Sequence, residues 1–444
     1  DFRKFSYFLI ITNHIFLFFL YYFNKRCIMK KIISIFMFFI FISMFFYVSF
    51  ADDVDNETID VSTELNSFTD TSTETIKEPD VNSRACVVID RKTNSVLFGK
   101  NENSKKKMAS TTKIMTATII IEKCNLTDTI EISKKAAGTG GSRLGLKTGD
   151  KITVLDLLYG LMLRSGNDAA VALAEYAGGD INGFAELMNA KTLELGLTNT
   201  HFETPHGLDS NEHYTTAYEL ALLSNYALNN PTFAKIVGTK NYTITINGSP
   251  KDLSNTNELL GNMEGVYGIK TGFTNGANRC LVTACKRNNI DIICVVLGAD
   301  TKKFRTIDSI KLINYVFNNF VVYDLESFVN KNFEDWKKDN LNTFIINKGL
   351  SQDVLLNIEN LYISKVPIRK DLINSFEMKV ECQKYFKAPV KGNSSIGNIV
   401  ISNSGKEIAK CNISIMNDID KKNSSYYFIY LLKNISSIIQ KNLL

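Results

Sequence analysis

The order of strand-like and helix-like segments constrains the fold of this chain more than any other feature of its sequence. Two short strand-like segments lie within residues 85–98, and residues 153–229 are helical in pattern. Three more strand-like segments follow at Val266–Gly272, Cys280–Cys285 and Ile290–Gly298, with a helical segment after them. Strands joined by short turns pair antiparallel, and apolar helix faces need a sheet or another helix to pack on. The sequence therefore predicts an α/β domain of the α+β type: an antiparallel sheet flanked by helices, with a helical subdomain.

A serine and a lysine one helical turn apart lie between the first strands and the helical region. Ser110 is followed by Lys113, and the apolar residues after them recur at helical spacing, so both side chains share one face of a helix start. A serine hydroxyl becomes a nucleophile when a nearby base removes its proton. A lysine can be that base when burial, the helix dipole or a second cation lowers its pKa. The same spacing at Ser104 and Lys107 lacks an apolar face and predicts only a solvated turn.

Two further motifs follow in an order that strengthens this interpretation. Ser165-Gly166-Asn167 lies between two predicted helices, and Lys270-Thr271-Gly272 lies in a predicted strand. A second Lys-Thr-Gly sequence at residues 147–149 runs into a turn before a helix, so we expect the functional lysine to be Lys270. The combination of S-x-x-K, S-x-N and K-T-G is the signature of penicillin-binding proteins and serine β-lactamases.

The segments around these motifs resemble the low-molecular-weight penicillin-binding proteins that act as D-alanyl-D-alanine carboxypeptidases, peptidase family S11. The resemblance covers about residues 84–320 and includes His206-Gly207-Leu208-Asp209. It implies a transpeptidase-like fold and a reaction without metal or cofactor. It also implies that Ser110 attacks the carbonyl between two terminal D-alanines of a peptidoglycan stem peptide, that Lys113 takes its proton, and that Ser165 relays a proton to the leaving amine. Water then releases the acyl group.

The same resemblance implies a set of substrate-binding residues. They are Asn167, Lys270, Thr271, Gly272, Phe273 and Arg305. Asn167 would hydrogen-bond the substrate amide, and Lys270 would supply positive charge. Thr271 would bind the terminal carboxylate, with Arg305 at the place where the family often has a second carboxylate-binding arginine. The N–H groups of the nucleophile and of Phe273, which stands where some members have histidine, would hold the oxyanion. A β-lactam would acylate the same serine, deacylate slowly and so inhibit.

Two other functions share these motifs. A serine β-lactamase of class A needs a glutamate that holds the deacylating water. The matching E-x-x-x-N pattern occurs at Glu258–Asn262, too close to Lys270 for that role. The other alternative is a penicillin-binding wall protein without turnover, which the complete set of motif residues disfavours. His206 is expected to be a structural turn residue, because Lys113 already supplies a base.

Composition argues against several other classes of protein. The net charge of +5 is mild, and the sequence contains no basic helix interleaved with aromatic residues, so we expect no nucleic-acid partner. The four histidines are not paired at ligand spacing, which argues against a zinc site. Removing Cys27 with the leader leaves seven cysteines, an odd number, so a disulfide framework is not expected. Cys285 and Cys294 lie in apolar strand-like segments and are expected in the core.

The whole chain divides into six predicted segments. They are an upstream translated segment (1–28), a signal peptide (29–51), an acidic flexible linker (52–80), the catalytic domain (81–322), a small all-β domain (323–420) and an amphipathic membrane-anchor helix (424–444). Met29 opens a basic start, a long apolar run and a small-residue end at Ala51, which is typical of a secretory signal; an uncleaved anchor is the alternative. Phe428, Leu431 and Ile435 share one face of the last helix, which suits a membrane surface or packing on its own domain. We therefore expect an exported protein at the extracytoplasmic face of the cell membrane.

Overall fold

The structure, a computed structural model, describes Val61, residues 76–359 and residues 361–442. The predicted upstream segment, the signal peptide and nearly all of the acidic linker lie outside the described residues. The strands are β1 (Ala85–Asp90), β2 (Val96–Lys100), β3 (Thr129–Glu131), β4 (Lys151–Thr153), β5 (Asn241–Ile246), β6 (Ser249–Ser254), β7 (Val266–Thr274), β8 (Asn278–Arg287), β9 (Ile290–Ala299), β10 (Phe320–Asp324), β11 (Ile345–Asn347), β12 (Leu356–Glu359), β13 (Lys365–Arg369), β14 (Phe376–Cys382), β15 (Tyr385–Lys387), β16 (Ser394–Asn403) and β17 (Lys406–Ile415). The α-helices are α1 (Lys113–Lys123), α2 (Lys134–Ala137), α3 (Val154–Leu163), α4 (Asn167–Gly178), α5 (Ile181–Glu194), α6 (Ala217–Leu228), α7 (Pro231–Val237), α8 (Lys302–Asn319), α9 (Leu325–Asn340) and α10 (Ser424–Asn442).

A five-stranded antiparallel sheet in the order β2-β1-β9-β8-β7 organises the first part of the chain. Alternating residues of its strands enter two separate apolar clusters, because successive side chains of a strand point to opposite faces. Val87 and Val295 belong to a cluster that contains residues of α1, α3 and α4. Val88 and Val296 belong to a second cluster that contains residues of α8. The predicted sheet with helices on both faces is confirmed.

The cysteines of the sheet are packing residues, as expected from their apolar neighbours. Cys285 and Cys294 lie in the cluster that faces α8, and neither forms a disulfide. Burial raises the pKa of the Cys285 thiol to about 11, so this group stays protonated at neutral pH. A buried thiol of this kind behaves as a small apolar side chain.

The segment after β10 contains most of the predicted strands but also a helix that the sequence analysis missed. The strands β12-β17-β16-β14 form a four-stranded sheet with its own apolar cluster. Helix α9 contributes Leu325, Val329 and Phe333 to that cluster. These residues are four positions apart, which is helical spacing, and Asp324 caps the helix by accepting a hydrogen bond from the N–H of Ser327. The expectation of an all-β domain is therefore corrected to a β-rich domain with one helix.

The chain ends in α10, whose large apolar side chains are exposed. Phe428 is 62% exposed and Leu431 is 56% exposed, so these side chains are not packed into an apolar cluster of the described chain. Among the described helices, none combines the length and the apolar character needed to cross a membrane.

Candidate active site

The predicted nucleophile lies in a tight turn at the start of α1. Ser110 belongs to a 3₁₀ turn, Ala109–Thr112, which we call the nucleophile turn after its predicted role. The α-helix begins only at Lys113, so the expected helix start is preceded by a tighter turn. Ala109 has a φ of +49°, a left-handed conformation that is uncommon for residues with a side chain. The hydroxyl of Thr112 donates to the carbonyl of Ala109 over 2.8 Å. Local hydrogen bonding therefore holds this turn in its unusual shape.

Lys113 is fully buried and its amine lies against the serine. The Nζ atom is 2.8 Å from the Oγ atom of Ser110. It also contacts the Oδ1 atom of Asn167 at 2.7 Å and the carbonyl oxygen of His206 at 2.9 Å. The side-chain amide of Asn167 in turn donates to the carbonyl of Gly140 over 2.8 Å. Three segments far apart in the sequence thus meet at one amine.

Ser165 occupies the turn between α3 and α4. Its φ is +61°, and its side chain is completely buried. Among the described residues, the Oγ atom of Ser165 has no hydrogen-bond partner. Buried hydroxyls normally have one, and an unsatisfied buried hydroxyl is an observation that calls for a functional explanation.

The Lys-Thr-Gly sequence of β7 lies directly against the nucleophile turn. β7 is an edge strand of the sheet. A Cβ atom added at Gly272 would lie 3.0 Å from the backbone nitrogen of Ser110 and 3.2 Å from the Cβ atom of Ala109. Only a glycine allows the two backbones to come this close. Lys270 is buried and donates to the carbonyl of Thr271 over 2.9 Å.

The second Lys-Thr-Gly sequence has a different environment. Residues 147–149 form an exposed turn, in which the backbone N–H of Lys147 donates to the carboxylate of Asp150 over 2.7 Å. Gly149 has a φ of +85°, and a Cβ atom added there would meet no atom within 4 Å. The geometry agrees with the expectation that this sequence is only a turn.

The remaining predicted binding residues, Phe273, Thr271 and Arg305, have different surroundings. The ring of Phe273 stacks under the guanidinium of Arg279, whose central carbon is 3.6 Å from the ring centre. Thr271 and Arg305 both line a cavity of about 810 Å³. The hydroxyl of Thr271 is 2.7 Å from that of Thr256. The Nη2 atom of Arg305 donates to the carboxylate of Glu258 over 2.6 Å, a contact that the sequence analysis did not anticipate.

One loop, residues 204–213, connects the nucleophile turn with β7. Gly207 has a φ of +84°, and a Cβ atom added there would lie 1.9 Å from the carbonyl oxygen of Ala109. At the other side, the carboxylate of Asp209 accepts hydrogen bonds from the hydroxyl of Thr274 (2.7 Å) and the N–H of Gly276 (2.8 Å). Sequence reasoning did not assign these roles, because the partners are more than 60 residues apart.

Two buried histidines complete this loop. Burial, and then the positive charge of Lys113, lower the pKa of His206 to about 3. Burial also lowers the pKa of His213 to about 4. The Nδ1 atom of His213 accepts from the N–H of Glu203, so its Nε2 atom is the one that donates to the hydroxyl of Thr112 over 2.8 Å. Both histidines are therefore neutral at pH 7, and the ring of His213 supports the nucleophile turn.

Comparison with known proteins identifies the family. The profile of the D-alanyl-D-alanine carboxypeptidases, peptidase family S11, matches residues 72–301, which is just over half of the chain. The chain belongs to this family. It is 32% identical over 345 residues to the D-alanyl-D-alanine carboxypeptidase DacF of Bacillus subtilis, covering 76% of this chain and 86% of the relative. It is 37% identical over 260 residues to DacC of Escherichia coli, covering 56% of this chain and 64% of the relative.

Solved structures of D-alanyl-D-alanine carboxypeptidases and related penicillin-binding proteins share the fold. The carboxypeptidase DacD from Francisella tularensis superposes with a TM-score of 0.62 at 26% identity, over 79% of this chain and 97% of the other. Penicillin binding protein 5 from Haemophilus influenzae gives the same TM-score at 28% identity, over 78% of this chain and 100% of the other. The Streptomyces K15 DD-transpeptidase gives a TM-score of 0.53 at 34% identity, over 55% of this chain and 100% of the other. The expected transpeptidase-like fold is confirmed.

Proposed function

We propose that this member of the D-alanyl-D-alanine carboxypeptidase family removes the terminal D-alanine from peptidoglycan stem pentapeptides through an acyl-enzyme on Ser110. The observation that carries the proposal is the position of Ser110, with the amine of Lys113 at 2.8 Å and the backbone of Gly272 in close contact. A nucleophile, a base and a strand edge that can pair with an extended peptide then surround one point.

The contacts of Lys113 suit the role of general base. A neutral amine has two N–H donors and one lone pair. If the lone pair faces the hydroxyl of Ser110, the two donors can be used by the oxygens of Asn167 and His206, which lie at 2.7 and 2.9 Å. The hydroxyl proton then passes to Nζ as Oγ bonds to the peptide carbonyl carbon. Asn167 helps to orient the base, and in this proposal its second amide N–H bonds to a substrate carbonyl.

The negative charge of the tetrahedral intermediate needs fixed donors. The backbone N–H groups of Ser110 and Phe273 are the candidates, because β7 packs against the nucleophile turn at Gly272. Each well-placed donor of this type is worth about 3–4 kcal/mol of transition-state stabilisation. The charge of Lys270, buried beside this point, adds to the positive field.

The leaving group needs a proton and a place for its carboxylate. Ser165 supplies the proton relay, since its buried hydroxyl has no partner among the described residues and can bond to the departing amine. The C–N bond breaks as the proton carried by Lys113 reaches this amine. The carboxylate of the departing D-alanine binds Thr271 and Arg305, which line one cavity. Water, activated by the same lysine, then hydrolyses the ester of Ser110.

A β-lactam would acylate Ser110 by the same attack and act as an inhibitor. Rapid β-lactam hydrolysis is disfavoured by the contacts of Glu258, the only glutamate between Ser165 and Lys270 that has an asparagine four positions later, as the class A pattern requires. Its two carboxylate oxygens contact Lys302 at 2.9 Å and Arg305 at 2.6 Å. A carboxylate held by two cations is a poor base.

We further propose that the protein is exported and works at the extracytoplasmic face of the cell membrane. The basic and apolar sequence at 29–51 and the exposed apolar side chains of α10, such as Phe428 and Leu431, support this location. Removal of α10 is expected to shift the protein from the membrane fraction to the soluble fraction without loss of peptidase activity.

The direct test is release of D-alanine from a stem pentapeptide by the purified full-length protein. Wild-type protein should release one D-alanine per peptide, and Ser110→Ala should reduce the rate by at least about 10³-fold, the usual effect of removing a covalent nucleophile. A fluorescent penicillin should label the wild type and not the variant. Equal release by the two proteins would refute the assignment of Ser110.

A further inference from the structure

We propose that Glu258 is a specificity-determining residue, an internal carboxylate that shares its cations with the carboxylate of the substrate and so limits the affinity of the site. The inference rests on the proposed function, because it takes the cavity at Thr271 and Arg305 as the place of the terminal carboxylate. The residue has no role in the serine–lysine chemistry proposed above.

Glu258 is held by two cations from the first turn of α8. It lies in the segment between β6 and β7, and its side chain is only 20% exposed. Oε1 is 2.9 Å from the ammonium of Lys302, and Oε2 is 2.6 Å from the guanidinium of Arg305. Burial would raise the pKa of Glu258, but Arg305 and Lys302 outweigh it and lower the pKa. The side chain is therefore a carboxylate at neutral pH.

The carboxylate of Glu258 faces the cavity where the substrate carboxylate is expected. Glu258, Arg305 and Lys302 all line this cavity together with Thr271. Two negative charges in one half-enclosed space repel each other, whereas each is attracted by the two cations. The charged side chains that line the cavity are five cations and two carboxylates, a net charge of +3: Arg143, Arg164, Lys251, Lys302 and Arg305, with Asp252 and Glu258. Without the charge of Glu258, a ligand carboxylate would meet a net charge of +4, and the two cations nearest to Glu258 would have no competing anion.

The geometry of Arg305 indicates that its pair with Glu258 is not optimised for the free protein. A guanidinium binds a carboxylate most strongly through two parallel hydrogen bonds. Here only one bond, from Nη2, joins the two side chains. The Nε atom of Arg305 is buried and has no partner among the described residues. Because Nε is closed off and Arg305 is only 2% exposed, a second anion in the cavity would have to share the terminal guanidinium nitrogens with Glu258.

The substitution Glu258→Gln tests the inference because it keeps the shape of the side chain and an acceptor oxygen but removes the charge. We expect the KM for a stem pentapeptide to fall about tenfold, with a smaller change in kcat; a change of that size needs only about 1.4 kcal/mol of relieved repulsion. The opposite change, Lys302→Met, removes a cation and should raise the KM. Circular dichroism and urea unfolding of both variants verify that they are folded.

A binding measurement separates this inference from the proposed function. In a Ser110→Ala background, which cannot turn over, Glu258→Gln should tighten binding of a peptide with a free terminal carboxylate about tenfold. The same peptide with a terminal carboxamide should bind equally well with and without the substitution.

Glu264→Gln is the matched control, since it removes the same charge from an exposed position of the same segment. It should leave the affinities for the carboxylate peptide and for the carboxamide peptide unchanged. Weaker or unchanged binding of the carboxylate peptide after Glu258→Gln, or equal tightening of the carboxamide, would overturn the inference. Absence of D-alanine release by the wild type would refute the proposed function and leave the binding result to be judged on its own.

Discussion

Two glycine substitutions with nearly the same backbone conformation can show how closely the nucleophile turn is held. Gly149 and Gly207 have φ values of +85° and +84°. An alanine in a left-handed conformation costs about 1–2 kcal/mol, part of which is offset by the lower entropy of the unfolded chain. Because nothing lies within 4 Å of a Cβ atom at Gly149, Gly149→Ala should cost only about 1 kcal/mol and leave activity unchanged.

The same substitution at Gly207 adds a collision. The new Cβ atom would lie 1.9 Å from the carbonyl oxygen of Ala109 and 2.6 Å from the hydroxyl of Thr112. Relief requires the loop and the nucleophile turn to separate by more than about 1 Å, since ordinary contacts of this kind begin near 3.4 Å. The movement would strain the hydrogen bond from Lys113 to His206 and that from Thr116 to Pro205.

For Gly207→Ala, the two weakened buried hydrogen bonds and the cost of an alanine in a left-handed conformation together lower the free energy of unfolding by about 3–5 kcal/mol. A displacement of 1 Å at a nucleophile can reduce a rate about 100-fold. We therefore expect urea unfolding to show the stability loss and the rate of acylation by a fluorescent penicillin to fall about 100-fold. Acylation by Gly207→Ala within threefold of Gly149→Ala would refute the idea that this contact positions Ser110.

Three further substitutions test other parts of the structure. Asp168 accepts hydrogen bonds from the N–H groups of Leu144, Gly145 and Leu146. In Asp168→Asn, the amide N–H₂ of the new side chain would face these backbone donors, so urea unfolding should show a loss of about 3 kcal/mol. Full stability of the variant would contradict this prediction. His213 has a pKa of about 4 in the folded protein and about 6.5 in the unfolded chain, so the unfolded state takes up this proton first as the pH falls. The free energy of unfolding should therefore fall by about 3 kcal/mol between about pH 6.5 and 4. His213→Gln should make that decline less steep, and an unchanged pH profile would contradict the role of His213. Lys270→Ala should abolish penicillin labelling whereas Lys147→Ala should not, and the reverse result would reassign the motif.

The local sequence context was sufficient to predict most of the elements around the motifs and the pair of Ser110 and Lys113, which the structure brings together. Lys270 was distinguished from Lys147 by the apolar strand around it. The structure places Gly272 of the first motif against the nucleophile turn and the second motif in an exposed turn. Helix α9 was missed although Leu325, Val329 and Phe333 have helical spacing, because the strand-like segments after it dominated the interpretation of that region.

The contacts that the sequence could not predict are those between distant segments. Nothing near Glu258 in the sequence indicates that its carboxylate meets Arg305, which is 47 residues away. The support of the nucleophile turn by His213 joins residues 101 positions apart. The 3₁₀ turn at Ser110 also depends on tertiary contacts, because it is held in part by the loop that contains Gly207. Such contacts are selected by packing of the whole chain and leave no local pattern.

The loop at residues 204–213 has a consequence for how the cleft responds to a ligand. Gly207 abuts the turn that carries Ser110, and Asp209 bonds to Thr274 and Gly276 at the end of β7. One short stretch of backbone therefore fixes the distance between the nucleophile turn and the end of β7, which form the two sides of the cleft. Donors fixed in this way need little reorganisation when charge develops on the substrate. Preorganisation of the cleft is then completed during folding, and a peptide that enters finds the gap already at its working width.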